Sequence, residues 1–102
     1  MHFVVHAIDK PDALERRRAI IDAHRAYTKD APAEFGVTVL ISGPLLKEDG
    51  ETMGGSFFLL DAPDRDAVDN LIANDPISSA DVWDNVRVSP FFLRQDNMSS
   101  PE

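Results

Sequence analysis

The sequence predicts an α+β domain whose elements follow one another in the order βαββαβ. Two observations lead to this prediction. Four short apolar segments are interleaved with two segments of helical periodicity, and the middle two strands are joined by an Asp49-Gly50 turn. A length of 102 residues suits one such domain. Right-handed crossovers would place both helices on one face of a four-stranded antiparallel sheet, which is the ferredoxin-like arrangement.

The first half of the chain is predicted to form a strand, a helix and a second strand. Residues 2–8, HFVVHAI, are strand formers followed by turn residues. Residues 9–31 have helical spacing, with Asp12 as the expected N-cap and Glu15 in the capping-box position. Residues 35–46, FGVTVLISGPLL, show the alternation of a strand that stops near its Gly-Pro step.

The second half is predicted to form a strand, a shorter helix and a last strand. Residues 54–62 form the returning strand of the hairpin, and residues 62–76 form a shorter helix with Asp64 as its candidate N-cap. Residues 76–81 are ambiguous and fit one irregular turn. Residues 81–93 complete the sheet as its last strand.

Composition narrows the class of protein. The chain is 43% hydrophobic and 27% charged, as globular domains usually are, and it lacks cysteine. A net charge of −8 argues against nucleic-acid binding, although bases cluster in ERRRA at residues 15–19. No apolar run approaches the roughly 20 residues of a membrane span, and the N-terminus lacks a signal peptide's basic region. We therefore predict a cytoplasmic protein without membrane partners, with its domain at residues 1–94 and a disordered tail at residues 95–102.

The predicted strands are apolar on both faces, which suggests a partner. HFVVHAI, VTVLI and SFFLLD carry apolar residues at odd and even positions, whereas a sheet with one wet face should alternate cleanly. The helices can cover only one face, and an exposed apolar patch usually marks an interface. We therefore expect a homodimer in which two sheets pack face to face around a two-fold axis. The alternative is a monomer whose C-terminal segment folds back over the sheet.

His24 is the leading candidate for chemistry because it lies inside the helix stripe that should face the core. Arg17 lies two turns before it and Tyr27 one turn after it, so one helix edge presents three polar tips. A catalytic histidine needs an acid to orient its ring, and Asp75 in NDPIS is the most informative candidate. The alternatives are a core-edge histidine bonded to backbone and an Asp-Pro step that only starts a turn.

Other polar and aromatic positions give weaker signals. Ser42 and Gly43 end the second strand, where a glycine lets a ligand approach the backbone or simply terminates the strand. Trp83, Phe91 and Phe92 could line an apolar pocket or serve in core or dimer packing. The sequence has no metal-ligand spacing, phosphate loop, dinucleotide fingerprint or nucleophile motif, so we expect neither a metal nor a cofactor.

Taken together, these segments resemble the YciI-like family of small dimeric α+β barrel proteins. The resemblance covers residues 1–93 and rests on AHRAY, ISGPLL, DGETMGG, NDPI and VRVSPF in that order. It implies that His24 and Asp75 form a histidine–aspartate dyad in a pocket of each subunit. Two departures bear on the shape of that pocket: Ile77 stands where an aromatic residue is common, and Arg25 stands where leucine is common. Some relatives act as lyases or dehydrohalogenases on small oxygenated rings.

The leading hypothesis is a cofactor-free lyase, isomerase or dehydrohalogenase that acts on a small polar compound, aromatic or lactone-like. His24 would move a proton and Asp75 would hold its ring, while the expected substrate-binding residues are Arg17, Tyr27, Ser42 and Gly43. The first alternative is a non-catalytic dimeric module that binds a small ligand. The second, by analogy of fold alone, is a cofactor-free monooxygenase acting on an electron-rich ring.

Overall fold

The computed structural model describes residues 1–98 and confirms the predicted α+β order. Its four strands form one antiparallel sheet in the spatial order β2-β3-β1-β4. Within residues 1–98, no helix is long and apolar enough to cross a membrane. The elements in chain order are β1 (His2–Asp9), α1 (Leu14–Asp30), a short 3-10 helix (Pro32–Phe35), β2 (Thr38–Leu46), β3 (Met53–Asp61), α2 (Arg65–Ala73), α3 (Pro76–Ser79) and β4 (Trp83–Phe91).

Two predicted boundaries were wrong. Asp12 does not cap α1, because the N-cap is Ala13, which already has near-helical dihedrals and makes no side-chain capping bond. The second strand starts at Thr38, three residues later than predicted. The residues before it form the 3-10 helix, which ends at Gly36 with a φ of 73°, a left-handed conformation that glycine adopts without strain. The apolar residues Phe35 and Val37 were thus predicted as strand, although both precede β2.

Three further predictions concern the cap of α2, the residues that follow it and the C-terminal tail. Asp64 caps α2 as predicted, because its carboxylate accepts a hydrogen bond from the Ala67 backbone N–H at 2.9 Å. The ambiguous residues 76–81 contain the single turn of helix α3. Residues 95–98 are exposed and belong to no helix or strand, and the rest of the predicted tail, residues 99–102, lies outside the described residues. The division of the chain at residue 94 stays a prediction.

The core lies between one face of the sheet and the helices. Alternate residues of β1, namely Phe3, Val5 and Ala7, are buried there, as strand periodicity requires. Helix α2 contributes an apolar side, while α1 is joined to α2 by the Tyr27 hydroxyl, which donates to the Leu71 carbonyl at 2.6 Å. The remaining buried apolar side chains are Ala13, Val37, Phe58, Leu60, Ala62, Val68, Leu71, Ile72, Ile77, Val82 and Trp83.

The opposite face of the sheet is open and largely apolar, although β4 places the exposed Arg87 beside His6 on it. Its register places Val4 beside Leu59 and His6 beside Phe57, and Ile8 and Phe91 are each about two-fifths exposed. A cavity of about 640 Å³ lies against this face and is lined at one end by residues of the segment 93–98. That segment therefore reaches the open face, yet Ile8, Ile41 and Phe91 of that face stay 38–42% exposed.

A buried ion pair fastens α1 to β1. Arg17 is fully buried near the start of α1 and donates from Nε to Asp9 Oδ2 at 2.7 Å and from Nη2 to Asp9 Oδ1 at 2.8 Å. Asp9 follows Ala7 on the core side of β1, so the strand delivers its carboxylate to the helix. Such a two-pronged pair fixes both position and orientation.

The capping difference between the two helices is measurable. Asp64→Ala should lower the free energy of unfolding by about 1 kcal/mol, because the N-terminal N–H groups of α2 lose their side-chain acceptor. Asp12→Ala is the matched control and should cost clearly less, since Asp12 caps nothing. Urea denaturation of both variants checks this, and equal losses would contradict the assigned caps.

The buried pair should matter far more than an exposed one. Asp9→Ala leaves the Arg17 guanidinium buried without its counter-ion and should lower stability by about 3–5 kcal/mol. Asp69→Ala removes the half-exposed partner of Arg65, at 3.0 Å, and should cost no more than about 1 kcal/mol. Thermal and urea unfolding of the two variants would refute this ranking if Asp9→Ala proved as mild as Asp69→Ala.

Candidate active site

A cleft of about 230 Å³ opens between α1 and the hairpin of β2 and β3. It combines polar groups at its floor with apolar walls, as small-molecule sites usually do. Helix α1 supplies Arg17, Ile21, His24, Arg25 and Thr28, and the hairpin supplies Ser42, Gly43, Pro44, Ser56 and Phe58.

The structure brings His24 and Asp75 together. His24 Nδ1 lies 2.8 Å from Asp75 Oδ1, and both side chains are buried. Asp75 follows α2 and is the N-cap of α3, so its Oδ1 also accepts from the Ile77 backbone N–H at 3.0 Å. Pro76 occupies the first turn of α3, where its missing N–H costs nothing. The Asp-Pro step is therefore both a turn starter and the partner of the helix histidine.

This contact determines which nitrogen of His24 is left for a ligand. An ionised carboxylate only accepts hydrogen bonds, so Nδ1 carries the proton of that contact. Within residues 1–98, Nε2 has no hydrogen-bond partner, and in a neutral ring it offers a lone pair. The ring is held edge-on to Phe58, with centroids 6.1 Å apart, and to Trp83 at 6.4 Å. The imidazole is thus fixed in orientation and tautomer before any ligand arrives.

The floor of the cleft contains a second polar cluster, centred on Ser56. Its Oγ accepts from Arg17 Nη2 at 2.8 Å and from Trp83 Nε1 at 3.2 Å. Arg17, predicted to contact substrate, therefore lines the cleft while being anchored from behind by Asp9. Trp83 belongs to the core and supports this cluster from below.

Sequence reasoning missed Ser56 and Asp9 as members of the site. Both carried a signal, because each polar residue stands in phase with buried apolar ones: Ser56 with Phe58 on β3, and Asp9 with Ala7 on β1. A polar residue at a buried strand position needs a partner, and the buried Arg17 serves both.

The remaining predicted residues divide between the cleft and other places. Ser42 and Gly43 line the cleft, and a Cβ added at Gly43 would meet no heavy atom within 4 Å, so this strand leaves room beside the backbone. Phe91 lies on the open sheet face and Phe92 is 76% exposed, so neither lines the cleft. Within residues 1–98 there is no group of three metal-ligating acids, histidines or cysteines.

Tyr27 requires a correction, because it does not line the cleft. Its hydroxyl is committed to the Leu71 carbonyl, so it joins two helices instead of meeting a substrate. Burial, and then the negative charges of Asp75 and Glu34, raise the pKa of Tyr27, which keeps its hydroxyl protonated as a donor.

Comparison with solved structures shows neighbours of the same fold, among them a protein with an assigned activity. It is TftG, the 5-chloro-2-hydroxyhydroquinone dehydrochlorinase from Burkholderia phenoliruptrix AC1100, solved as a complex with 2,5-dihydroxybenzoquinone. Its TM-score is 0.78 at 28% sequence identity, over 90% of this chain and 94% of that one. A dimeric protein of unknown function from Bacteroides fragilis NCTC 9343 shares the ferredoxin-like fold, with a TM-score of 0.54 at 14% identity over 86% and 90% of the two chains.

Comparison of sequences identifies the family. An uncharacterised protein of Haemophilus influenzae is 29% identical over 94 residues, which are 89% of this chain and 96% of that protein. The YCII-related domain matches residues 1–92. This match spans all four strands and all the helices, and on that ground the chain belongs to the family of YCII-related domains.

Proposed function

We propose that this protein is an acid/base enzyme that moves a proton on a small oxygen-bearing ring compound without a cofactor. His24 is the base and acid, and Asp75 holds its ring. The observation that carries the proposal is the 2.8 Å contact between His24 Nδ1 and Asp75 Oδ1 beside a cleft. It assigns the proton of the contact to Nδ1, so that Nε2 of the neutral ring offers its lone pair, and it stabilises the imidazolium formed when that nitrogen takes a proton.

The proposed reaction is an elimination, as in a lyase, or an isomerisation. Nε2 removes a proton from the substrate, and the electron pair left behind moves into the ring. In an elimination, the pair forms a double bond and expels the leaving group, for example a halide, as an anion. In an isomerisation, the imidazolium returns the same proton to another atom of the ring. Each route starts and ends with neutral His24 once the imidazolium has lost its proton to substrate or solvent.

The size of the cleft and the similarity to TftG both support a single-ring substrate. A cavity of about 150 Å³ is enough to hold benzene, and this cleft is about 230 Å³. TftG is described as a dehydrochlorinase of a hydroxylated ring. Dehydrohalogenation of such a ring is therefore the first activity to examine here, with Ser42, Gly43 and Arg17 as the proposed substrate contacts.

The proposed assembly is a homodimer through the open sheet face. A second copy fits this face because the patch is apolar and continuous from β1 to β3, and the segment 93–98 leaves most of it uncovered. Two such sheets would enclose a barrel-like interior between them.

The proton-transfer role predicts the effect of removing the base. With a chlorinated hydroxyhydroquinone as substrate, His24→Gln should lower the rate of chloride release by about 10²–10⁴-fold. Asp75→Asn should give a smaller loss, because the ring stays in place but loses its charged partner. Asp69→Asn, an exposed acid on α2, is the matched control and should leave the rate unchanged.

Chloride release and solvent deuterium exchange into hydroxylated rings and lactones provide the readouts, with thermal melting to verify folding. A folded His24→Gln protein that retains the full rate would refute the assignment of the base. Tight ligand binding with no reaction or exchange across the panel would instead favour the non-catalytic binding module.

The assembly is tested separately by sedimentation. The wild-type chain should sediment as a dimer at micromolar concentration, and Leu59→Arg should make it monomeric, because a charge in the centre of the buried face has no partner. Asp22→Arg on the exposed side of α1 is the control and should stay dimeric. A wild-type chain that is monomeric at all concentrations would overturn the proposed assembly.

A further inference from the structure

The hydroxyl of Ser56 has one hydrogen-bonding capacity that the protein leaves unused. A serine hydroxyl has two acceptor lone pairs and one proton to donate. Both lone pairs are occupied, by Arg17 Nη2–H and Trp83 Nε1–H. Ser56 can therefore act only as a donor toward any further partner, and within residues 1–98 its proton has no acceptor.

Arg17 presents a second unused donor beside it. Nε and Nη2 of its guanidinium are bound to Asp9 and Ser56, whereas Nη1 is buried and has no partner within residues 1–98. An unpaired buried donor is costly, and Arg is fixed too firmly by its other bonds to turn away. Because Arg17 and Ser56 both line the cleft that contains His24, an oxygen bound against these two side chains is a candidate acceptor for both donors.

We propose that Arg17 Nη1 and Ser56 Oγ form an oxyanion site at the floor of this cleft. It takes the substrate oxygen on which negative charge develops while His24 removes a proton. This inference rests on the proposed function, and it deepens it by assigning Ser56 and by naming the kind of oxygen that is bound. Donors that are already oriented need no reorganisation when the charge appears, which is why such sites lower a barrier.

The charges around the site define the substrate class. The Arg17 charge is already matched by the two-pronged contact with Asp9, and Asp75 adds a second carboxylate next to His24. With His24 neutral, the buried groups at the floor are one cation and two anions, so a localised carboxylate gains little there; the other cation that lines the cleft, Arg25, is exposed to solvent. The floor favours a substrate oxygen that is uncharged when it binds and becomes a phenolate or enolate as His24 becomes cationic. Such an oxygen is matched to the site both before and after the proton transfer. We therefore assign hydroxylated or keto rings as substrates, in preference to ring carboxylic acids.

The probe for this site is para-nitrophenol, whose visible spectrum distinguishes phenol from phenolate. The wild-type protein should bind the phenolate form in preference, so the pKa of bound nitrophenol falls below that of the free compound. Ser56→Ala should weaken phenolate binding by about tenfold or more, because a hydrogen bond to an anion is lost. Para-nitrobenzoate, with a localised carboxylate, should bind at least about tenfold more weakly than nitrophenol.

The controls separate recognition of the oxygen from a structural role of Ser56. Ser79→Ala, at an exposed position of α3, should bind nitrophenol as the wild type does. Ser56→Thr retains the hydroxyl and should restore most of the phenolate preference. If Ser56 only supported Arg17 and Trp83, its removal would lower the melting temperature but leave the ratio of bound phenolate to phenol unchanged, and the proposal would fail.

The same titration in a His24→Gln background distinguishes this inference from the proposed function. There the phenolate preference should persist although turnover is lost, and adding Ser56→Ala should abolish it. If the preference is absent from both backgrounds, the oxyanion site is wrong even where His24 is shown to be the base. If nitrobenzoate binds as tightly as nitrophenol and loses as much with Ser56→Ala, the floor is a general anion site and the assigned substrate class is overturned.

Discussion

The guanidinium of Arg17 lies fully inside the protein, where its charge is tolerated because Asp9 accepts two of its hydrogen bonds. Of the residues in α1, only Arg17 and His24 are buried, and each meets a carboxylate from another element. The helix is therefore positioned on the sheet by two polar contacts that are two turns apart, with half-buried apolar residues between them. These contacts fix the position of α1 relative to the hairpin, and the cleft lies between the two.

The general fold could be predicted because it depends on local patterns. Strand periodicity, the Asp49-Gly50 turn and the Asp64 cap are all properties of neighbouring residues, and each has the predicted place. Asp12 was wrongly predicted as a cap because the pattern of neighbouring residues did not decide where α1 begins. Several residues before α1 could have begun the helix, and the N-cap is Ala13, a fully buried residue with no capping side chain.

The site was predictable where a polar residue interrupted an apolar stripe. His24 does so on α1, and the Asp-Pro step narrowed the choice of its partner to Asp75 among many acids. Ser56 and Asp9 interrupt strands in the same manner, but a single polar residue in a strand is common. Their importance emerges only when β1 and β3 bring them to the same guanidinium. Tyr27 has the right helical spacing, yet its hydroxyl already donates to the Leu71 carbonyl at 2.6 Å.

Asp75 Oδ1 accepts hydrogen bonds from both the His24 ring and the first turn of α3. One oxygen thus divides its negative charge between an imidazole and a backbone amide. In the proposed mechanism, a cationic imidazole would draw more strongly on that oxygen than a neutral one, because charge-assisted hydrogen bonds are the stronger ones. The same oxygen joins the dyad to a four-residue helix whose Ile77 side chain lies deep in the core. A change of charge at the imidazole would therefore reach the interior of the protein as well as the cleft.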